Sequence, residues 1–249
     1  MSPALRAAER TDFPVTDSSR NVPAASWQAF QATKLYDGLA ATPLIAWYGI
    51  SAWHMLPAIA GRISAADLDT LDLHFVASVL AQLGGVVLVT AAMAFLLLRR
   101  PPKARAKGLL PRLSAFAGTF LGVAFVWLPQ QSLGTALSFL SLALMVSGAG
   151  FAIYALLHLG RSFSLMAEAR RLVTDGPYAY ISHPLYLGEA AAMLGLMLQF
   201  VSPLALGIAA VQLAFQLERM KNEEQILSEM FPEYSAYMQR TARLVPGLY

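Results

Sequence analysis

Long apolar segments dominate this sequence and limit the folds that it can adopt. A helix needs about 20 apolar residues to cross the hydrocarbon core of a bilayer, where every backbone N–H and C=O group must be paired. Six segments of 15 to 25 residues approach or reach that length, namely residues 39–60, 74–98, 113–128, 133–157, 186–201 and 203–217. The sequence therefore predicts an all-α, polytopic integral membrane protein with about six transmembrane helices. Ser202-Pro203 is the expected tip of a C-terminal helical hairpin, which continues into cytosolic C-terminal helices.

Composition agrees with a membrane location. Apolar residues make up 57% of the chain and charged residues 13%, and the mean hydropathy of +0.52 is too high for an ordinary soluble domain. There is no cysteine, which excludes disulfides, thiol catalysis and cysteine-ligated metal. The net charge of +3 does not indicate nucleic-acid binding, because the basic residues flank apolar segments instead of forming a stripe with interleaved aromatics. We expect the membrane as a partner, with no nucleic acid and no metal.

The placement of lysine and arginine predicts the orientation. Residues 99–112 contain six Lys or Arg, and cytosolic loops carry an excess of these residues. With this loop inside, six spans place 17 of the 18 Lys and Arg on the cytosolic side, and only Arg62 lies outside. Both termini are then cytosolic. The alanine-rich, cysteine-free composition favours a bacterial inner membrane.

The segment GPYAYISHPLYLGE, residues 176–189, is unusually polar for its place between two apolar segments. The His183-Pro184 pair predicts a helix start with proline at its first position, and such a helix N-terminus can hold a carboxylate. Tyr186 and Glu189 follow His183 at steps of three, so we expect all three near one helix face. An acid near hydrocarbon costs free energy unless it is paired or wet. Spacing alone is equally consistent with an interfacial turn anchored by tyrosines.

The last apolar segment continues directly into charged residues. Arg219 and Glu223 are helical i,i+4 neighbours, and Glu224 follows. Such charges usually form a solvated helix face. Here they begin close to the hydrocarbon, and the hairpin of residues 186–217 returns them to the face that carries His183. Two remote polar segments are therefore expected to meet at the cytosolic surface.

These residues resemble the isoprenylcysteine carboxyl methyltransferase family and, more loosely, the wider membrane phospholipid methyltransferase-like group. The resemblance covers roughly residues 159–246. It is carried by Gly176, Pro177, Tyr178, His183, Pro184, Tyr186 and Gly188, and then by Arg219, Glu223 and Glu224. LGRSFS at 159–164 and FPEYSAYMQRTARLVP at 231–246 are similar to the family's opening and closing segments. Ser182 stands where the family commonly has arginine, and Arg170 or Arg171 are candidates to supply the missing cation.

The resemblance implies methyl transfer from S-adenosylmethionine without a Rossmann domain. It implies cofactor binding by Tyr178, His183, Pro184, Tyr186, Gly188, Glu189 and Glu224, and catalysis by Arg219 and Glu223. His183 and the helix N-terminus would hold the cofactor carboxylate, and Glu223 or Glu224 its ammonium group. Arg219 would orient a carboxylate acceptor, which is already ionised and needs no base. An amine acceptor would instead need a base, for which Glu189 and Glu223 are candidates.

Three regions follow from this interpretation. Residues 1–35 form a largely disordered cytosolic tail, residues 36–158 a four-helix transmembrane region, and residues 159–249 a methyltransferase-like catalytic region. We expect a lipophilic or lipidated acceptor and, most simply, carboxyl O-methylation. The alternatives are N-methylation of a phospholipid or other amine, a non-catalytic membrane protein, and a sterol-type reductase.

Overall fold

The protein is mostly helical, as the sequence predicts. The computed structural model describes residue 30 and residues 33–67 and 72–247, so almost all of the predicted tail lies outside the described residues. Six helices overlap the six apolar segments. The α-helices are α1 (Lys34–Ser64), α2 (Leu73–Leu98), α3 (Leu110–Phe120), α4 (Thr135–Leu159), α5 (Pro184–Leu198), α6 (Pro203–Met230) and the short α7 (Tyr234–Arg240). Two strands of two residues, β1 (Ala104–Arg105) and β2 (Glu168–Ala169), pair antiparallel.

Side-chain caps and prolines set several helix starts. The side chain of Asp72 accepts the backbone N–H of Phe75 at 2.7 Å at the start of α2. Ser202 caps α6 in the same way, and Pro203 occupies its first position, where a missing N–H costs nothing. Pro184 likewise begins α5. The predicted hairpin turn at Ser202-Pro203 is therefore present in the structure.

The third apolar segment is not one continuous α-helix. Helix α3 ends at Phe120, and Leu121–Trp127 continues as a 3₁₀ helix. Gly122 lies in this tighter turn, where a Cβ would come within 2.3 Å of the methyl group of Met193. Close packing against α5 and α6 thus accompanies the change in helix type.

Helices α4 and α5 approach so closely that glycine is required at their contact. A Cβ at Gly148 would lie 2.4 Å from the backbone nitrogen of Ala192, and one at Gly188 would lie 2.6 Å from that of Ala152. Small residues allow this approach between helices in a membrane. The contact fixes α5, and hence the residues at its start, against α4.

A buried ion-pair cluster joins α1 to the loops at one end of the bundle. Asp37 is 2% exposed and contacts the guanidinium groups of Arg99, Arg105 and Arg170 at 2.8 to 2.9 Å. Burial raises the pKa of the Asp37 carboxyl, but the hydrogen bonds and charge of Arg170, with Arg99, outweigh it, so the pKa lies below its ordinary value. Glu168 on β2 contacts Arg105 and Arg170 as well. The cluster ties α1, β1 and β2 together.

Two helices in the described part of the chain are both long and apolar enough to cross a membrane, Leu73–Leu98 and Thr135–Ser162. Leu110–Phe125 and Pro184–Leu198 are shorter apolar helices. Large apolar side chains are also exposed over much of the bundle, with Trp53 and Trp127 at 75% and 79%. An apolar surface of this kind is typical of contact with a membrane or a partner.

Candidate active site

The turn at residues 176–183 approaches the charged half of α6. Gly176 has φ of +58°, a conformation that favours glycine, and a Cβ there would lie 2.1 Å from the His158 ring. Gly176–Ala179 form a 3₁₀ turn, after which the backbone N–H groups of Ser182 and His183 donate to the carbonyls of Ala242 and Arg243. The C-terminal segment therefore holds the turn against the end of α6.

His183 is engaged with an acid from α6. Its Nε2 lies 3.1 Å from Oε1 of Glu224, whose other oxygen accepts a hydrogen bond from Arg243 at 2.5 Å. Burial raises the pKa of the Glu224 carboxyl, but the hydrogen bond and charge of His183, with Arg243, hold it below its usual value. His183 and Glu224 thus form a structural link between the start of α5 and the end of α6.

Tyr186, Arg219 and Glu223 form a second link one turn closer to the bundle. The Tyr186 hydroxyl donates to Oε1 of Glu223, and the Arg219 guanidinium carbon lies 4.8 Å from the centre of the Tyr186 ring. Arg219 is 3% exposed, pairs with Glu223 at 3.5 Å and donates to Thr119 at 3.2 Å. The guanidinium is thus held by an acid, an aromatic face and a hydroxyl.

A polar cavity lies where these links meet. It contains about 740 Å³ of empty space, part of it open to solvent. Its wall combines basic residues, two acids and aromatic rings, including Arg170, Arg219, His183, Glu168, Glu223, Tyr178 and Tyr186. Burial, with the nearby charge of Glu223, raises the pKa of Tyr178 well above its ordinary value, and burial raises that of Tyr237 to about 12. Both hydroxyls therefore stay protonated at neutral pH.

A second, mainly apolar cavity adjoins the first. It contains about 1100 Å³ of empty space including its open side, and Phe163 and Leu185 line both cavities. Its polar groups lie among aliphatic side chains and are Tyr48, Thr119, Glu189, Gln212 and Gln216. Gln216 donates to Glu189 at 3.1 Å, whereas the carbonyl oxygens of Gln212 and Gln216 are buried and have no hydrogen-bond partner among the described residues.

The structure brings most of the predicted site residues together. Tyr178, His183, Tyr186, Arg219 and Glu223 line the polar cavity, as does Ser182, whose hydroxyl lies 2.7 Å from that of Thr241. Their proposed roles stay predictions.

Four predicted cofactor-binding residues lie elsewhere. Pro184 starts α5, Gly188 packs on α4, and Glu224 supports His183, so none of the three lines the polar cavity. Glu189 lines the apolar cavity instead. Glu189 faces a different cavity from His183 for a geometric reason. Each step of three residues falls about 60° short of a full helical turn, so two steps place Glu189 about 120° around α5 from His183.

Several residues of the site were not predicted. Two of these residues are Gln212 and Gln216, which precede the predicted Arg219 and Glu223 on α6. The four residues are spaced i, i+4, i+7 and i+11, a polar pattern that indicates one helix face. Arg170 and Arg171, the two candidates for the missing cation, both line the polar cavity. The pairing of Arg170 with Asp37 carries no signal in the sequence, because Asp37 is 133 residues away. Phe163 lies between the two cavities without any motif that marks it.

Comparison with known proteins identifies a family to which part of this region is similar. The phospholipid methyltransferase family matches residues 129–234, which include α4, the turn before α5, α5 itself and α6. This segment is therefore similar to the phospholipid methyltransferase family. The family resemblance expected from the sequence is confirmed, and the chain carries a methyltransferase-family segment.

Curated relatives match over shorter stretches. A protein-S-isoprenylcysteine O-methyltransferase B of Arabidopsis thaliana is 34% identical over 99 residues, which is 37% of this chain and 50% of that protein. A nickel-cobalt-cadmium resistance protein of Alcaligenes xylosoxydans xylosoxydans is 33% identical over 82 residues, or 32% of this chain and 38% of the relative. A cobalt-zinc-cadmium resistance protein of Cupriavidus metallidurans is 33% identical over 78 residues, or 31% of this chain and 36% of the relative. The matches thus span half or less of each relative.

Proposed function

We propose that this protein is an integral membrane enzyme that transfers a methyl group from S-adenosylmethionine to a lipophilic acceptor. The observation that carries the proposal is the pair of adjoining cavities in a methyltransferase-family segment. One cavity is lined by charged and aromatic groups and opens to solvent, and the other is mainly apolar with a few hydrogen-bonding groups. A polar cofactor and a lipid-like acceptor require this combination, since their reacting atoms must come together at the boundary.

The residues of the polar cavity fit the proposed cofactor. S-adenosylmethionine supplies an electrophilic methyl group on a sulfonium. Glu223 is the cavity acid best placed for the cofactor's ammonium group, and Tyr178 and Tyr186 offer rings to a cation or an adenine. Arg219 lies on the side of the apolar cavity, because it donates to Thr119, which lines that cavity. His183 contributes to the wall and is fixed there by Glu224.

The apolar cavity favours an acceptor that donates hydrogen bonds. Glu189 and the free carbonyl oxygens of Gln212 and Gln216 are all acceptors, and an amine or a hydroxyl would complement them. Because Glu189 and Glu223 already surround the single guanidinium of Arg219, a further carboxylate at this point would be repelled. We therefore favour N-methylation, with Glu189 accepting the proton that the nitrogen loses.

Carboxyl O-methylation, the simplest expectation from the sequence, is the second candidate. Arg219 favours it, because a buried guanidinium at the boundary of the two cavities can orient a carboxylate. In this case no base is required, and Glu223 would hold Arg219 in place.

The proposal includes the predicted topology and domains. Six spans would place the polar cavity at the cytosolic surface of a bacterial inner membrane, with both termini cytosolic. The acceptor would then enter the apolar cavity from the bilayer while the cofactor enters from the cytosol. Residues 1–35 would be a tail, and residues 159–249 would hold most of the catalytic groups. The region 36–158 would support them, because Gly148 on α4 packs against α5.

The test is cofactor binding and methyl transfer in detergent-solubilised, purified protein. We expect S-adenosylmethionine to bind in calorimetry, and methyl-labelled cofactor to label lipid extracted from host membranes. Label released as methanol by base indicates an ester, and base-stable label indicates N-methylation. Absence of S-adenosylmethionine binding, or binding of NADPH in its place, would overturn the proposal.

A matched pair of variants links the binding to the site. Glu223→Gln removes one of the two acids of the polar cavity and is expected to weaken cofactor binding by about 10- to 100-fold, as loss of a charged hydrogen bond does. Glu218→Gln is the control, because Glu218 lies one turn earlier on α6 and pairs at the surface with Lys221. Equal effects of the two substitutions would contradict the role given to Glu223.

A further inference from the structure

Arg170 is a buried cation on the wall of the polar cavity that no motif explains. The residue is 2% exposed, and its side chain is 0% exposed. It follows β2 directly and lines the polar cavity. Burial of a guanidinium is costly unless its N–H groups have partners. The partners of Arg170 therefore indicate what else it can bind.

Two of its three nitrogens are held by carboxylates. Nη1 donates to Oδ2 of Asp37 at 3.1 Å, and Nη2 donates to Oδ1 of Asp37 at 2.9 Å and to Oε2 of Glu168 at 2.5 Å. Glu168 in turn accepts from Ser164 at 2.6 Å. The Nε–H of Arg170 is buried and has no hydrogen-bond partner within the described parts of the chain. A fixed guanidinium thus retains one donor for a ligand.

The other basic residues of the cavity differ from Arg170 in their contacts, although the Nε–H of Arg219 is likewise buried without a hydrogen-bond partner among the described residues. His183 shares its Nε2 with Glu224, and Arg219 is paired with Glu223 beside the apolar cavity. Arg171 is exposed. Neither Arg170 nor its partners Asp37 and Glu168 line the apolar cavity, whereas Arg219 donates to Thr119, which does line it. Arg170 therefore suits an anionic group on the polar side of the boundary.

We propose that Arg170 binds the carboxylate of the cofactor's methionine part and that Asp37 is the residue that positions it. This inference rests on the proposed function and adds two residues to it. It replaces the expectation that His183 and the start of α5 hold that carboxylate. It also gives the first helix a role in the site, because Asp37 lies in the first turn of α1. A side chain locked by such contacts loses little entropy on binding.

The experiment compares two ligands that differ only in the carboxylate. S-adenosylmethionine and decarboxylated S-adenosylmethionine are titrated into wild-type protein and into Arg170→Gln in the same detergent. We expect Arg170→Gln to weaken S-adenosylmethionine by about 10- to 100-fold and the decarboxylated ligand by less than about threefold. Equal loss for both ligands would overturn the inference, whereas failure of the wild type to bind S-adenosylmethionine would overturn the proposed function.

Two further variants separate binding from structure. Arg161→Gln is the matched control, because Arg161 is exposed and does not line the polar cavity, and it should change neither affinity by more than about threefold. Asp37→Asn should weaken S-adenosylmethionine selectively but less than Arg170→Gln does, since Arg170 keeps Glu168. If Arg170→Gln binds neither ligand, both ligands are titrated into Arg170→Lys, which keeps the positive charge. The inference then fails unless Arg170→Lys loses affinity for S-adenosylmethionine and keeps its affinity for the decarboxylated ligand.

Discussion

Replacement of Gln212 by methionine should stabilise the protein while it impairs acceptor binding. Gln212 is 7% exposed, its amide N–H donates to the Gly118 carbonyl at 3.2 Å, and its carbonyl oxygen has no partner among the described residues. The donated hydrogen bond fixes the amide orientation, so the oxygen and not the nitrogen is the free group. Methionine has a similar volume and no polar group to satisfy.

The magnitude follows from two opposing contributions. A buried acceptor without a donor costs about 1–3 kcal/mol, whereas the hydrogen bond to Gly118, a helical carbonyl, contributes about 0.5–1.5 kcal/mol. The net change is a stabilisation of about 0.5–1.5 kcal/mol, or a rise in Tm of about 1–6 °C at 2–4 °C per kcal/mol. If the acceptor donates to this oxygen, its affinity falls by about 3- to 10-fold, because one hydrogen bond is lost.

The assay is thermal unfolding in detergent, with and without dodecylamine or dodecanoate as matched-chain probes. We expect the substitution to raise the Tm of the free protein and to reduce the extra stabilisation given by dodecylamine. Gln199→Met is the control, since Gln199 donates to Ser141 and Met145 and lines neither cavity of the site. A lowered Tm with unchanged dodecylamine response, or stabilisation by dodecanoate alone, would refute the reasoning.

Two further predictions concern stability. Gly148→Ala places a Cβ 2.4 Å from a backbone nitrogen of α5 and should lower the stability of the protein by about 1–3 kcal/mol. Gly150→Ala on the same helix has nothing within 4 Å of the added Cβ and should be neutral or slightly stabilising. Thermal unfolding of the two variants checks this, and equal effects would argue against the close contact. Because the pKa of Glu224 is lowered in the folded protein, its contribution is fully present above the unfolded value near 4.5 and is lost as pH falls through the lower folded value. The Tm of Glu224→Gln should therefore lie below that of wild type at pH 7 and approach it at acid pH, and a pH-independent difference would contradict the ion pair.

Local sequence signals accounted for the helices and for the meeting of the two polar segments. The caps at Asp72 and Ser202 and the prolines at 184 and 203 act within one turn of the helix that they begin, so their effect can be predicted from neighbouring residues. The hairpin between α5 and α6 then returns Arg219 to the level of Tyr186 because both helices rise by about 1.5 Å per residue.

Contacts between remote residues could not be predicted in this way. Nothing near Asp37 in the sequence indicates that it pairs with Arg170, because the pairing depends on how α1 packs against the loop after α4. The change to a 3₁₀ helix after Phe120 depends on packing against Met193 in the same manner. The expectation that Glu189 shares a helix face with His183 neglected the rotation that accumulates over two steps of three residues.

That rotation explains how one hairpin can serve two cavities. On α5, His183 and Tyr186 face the polar cavity, and Glu189, about 120° around the helix and about 9 Å along it from His183, faces the apolar one. On the antiparallel α6 the order is reversed, with Gln212 and Gln216 at the apolar cavity, Arg219 at the boundary and Glu223 at the polar cavity. Each helix therefore carries the groups of the polar cavity at the end near residues 176–183 and the groups of the apolar cavity deeper in the bundle. Under the proposed function, methyl transfer would occur at the level of Arg219, where the two sets of groups meet.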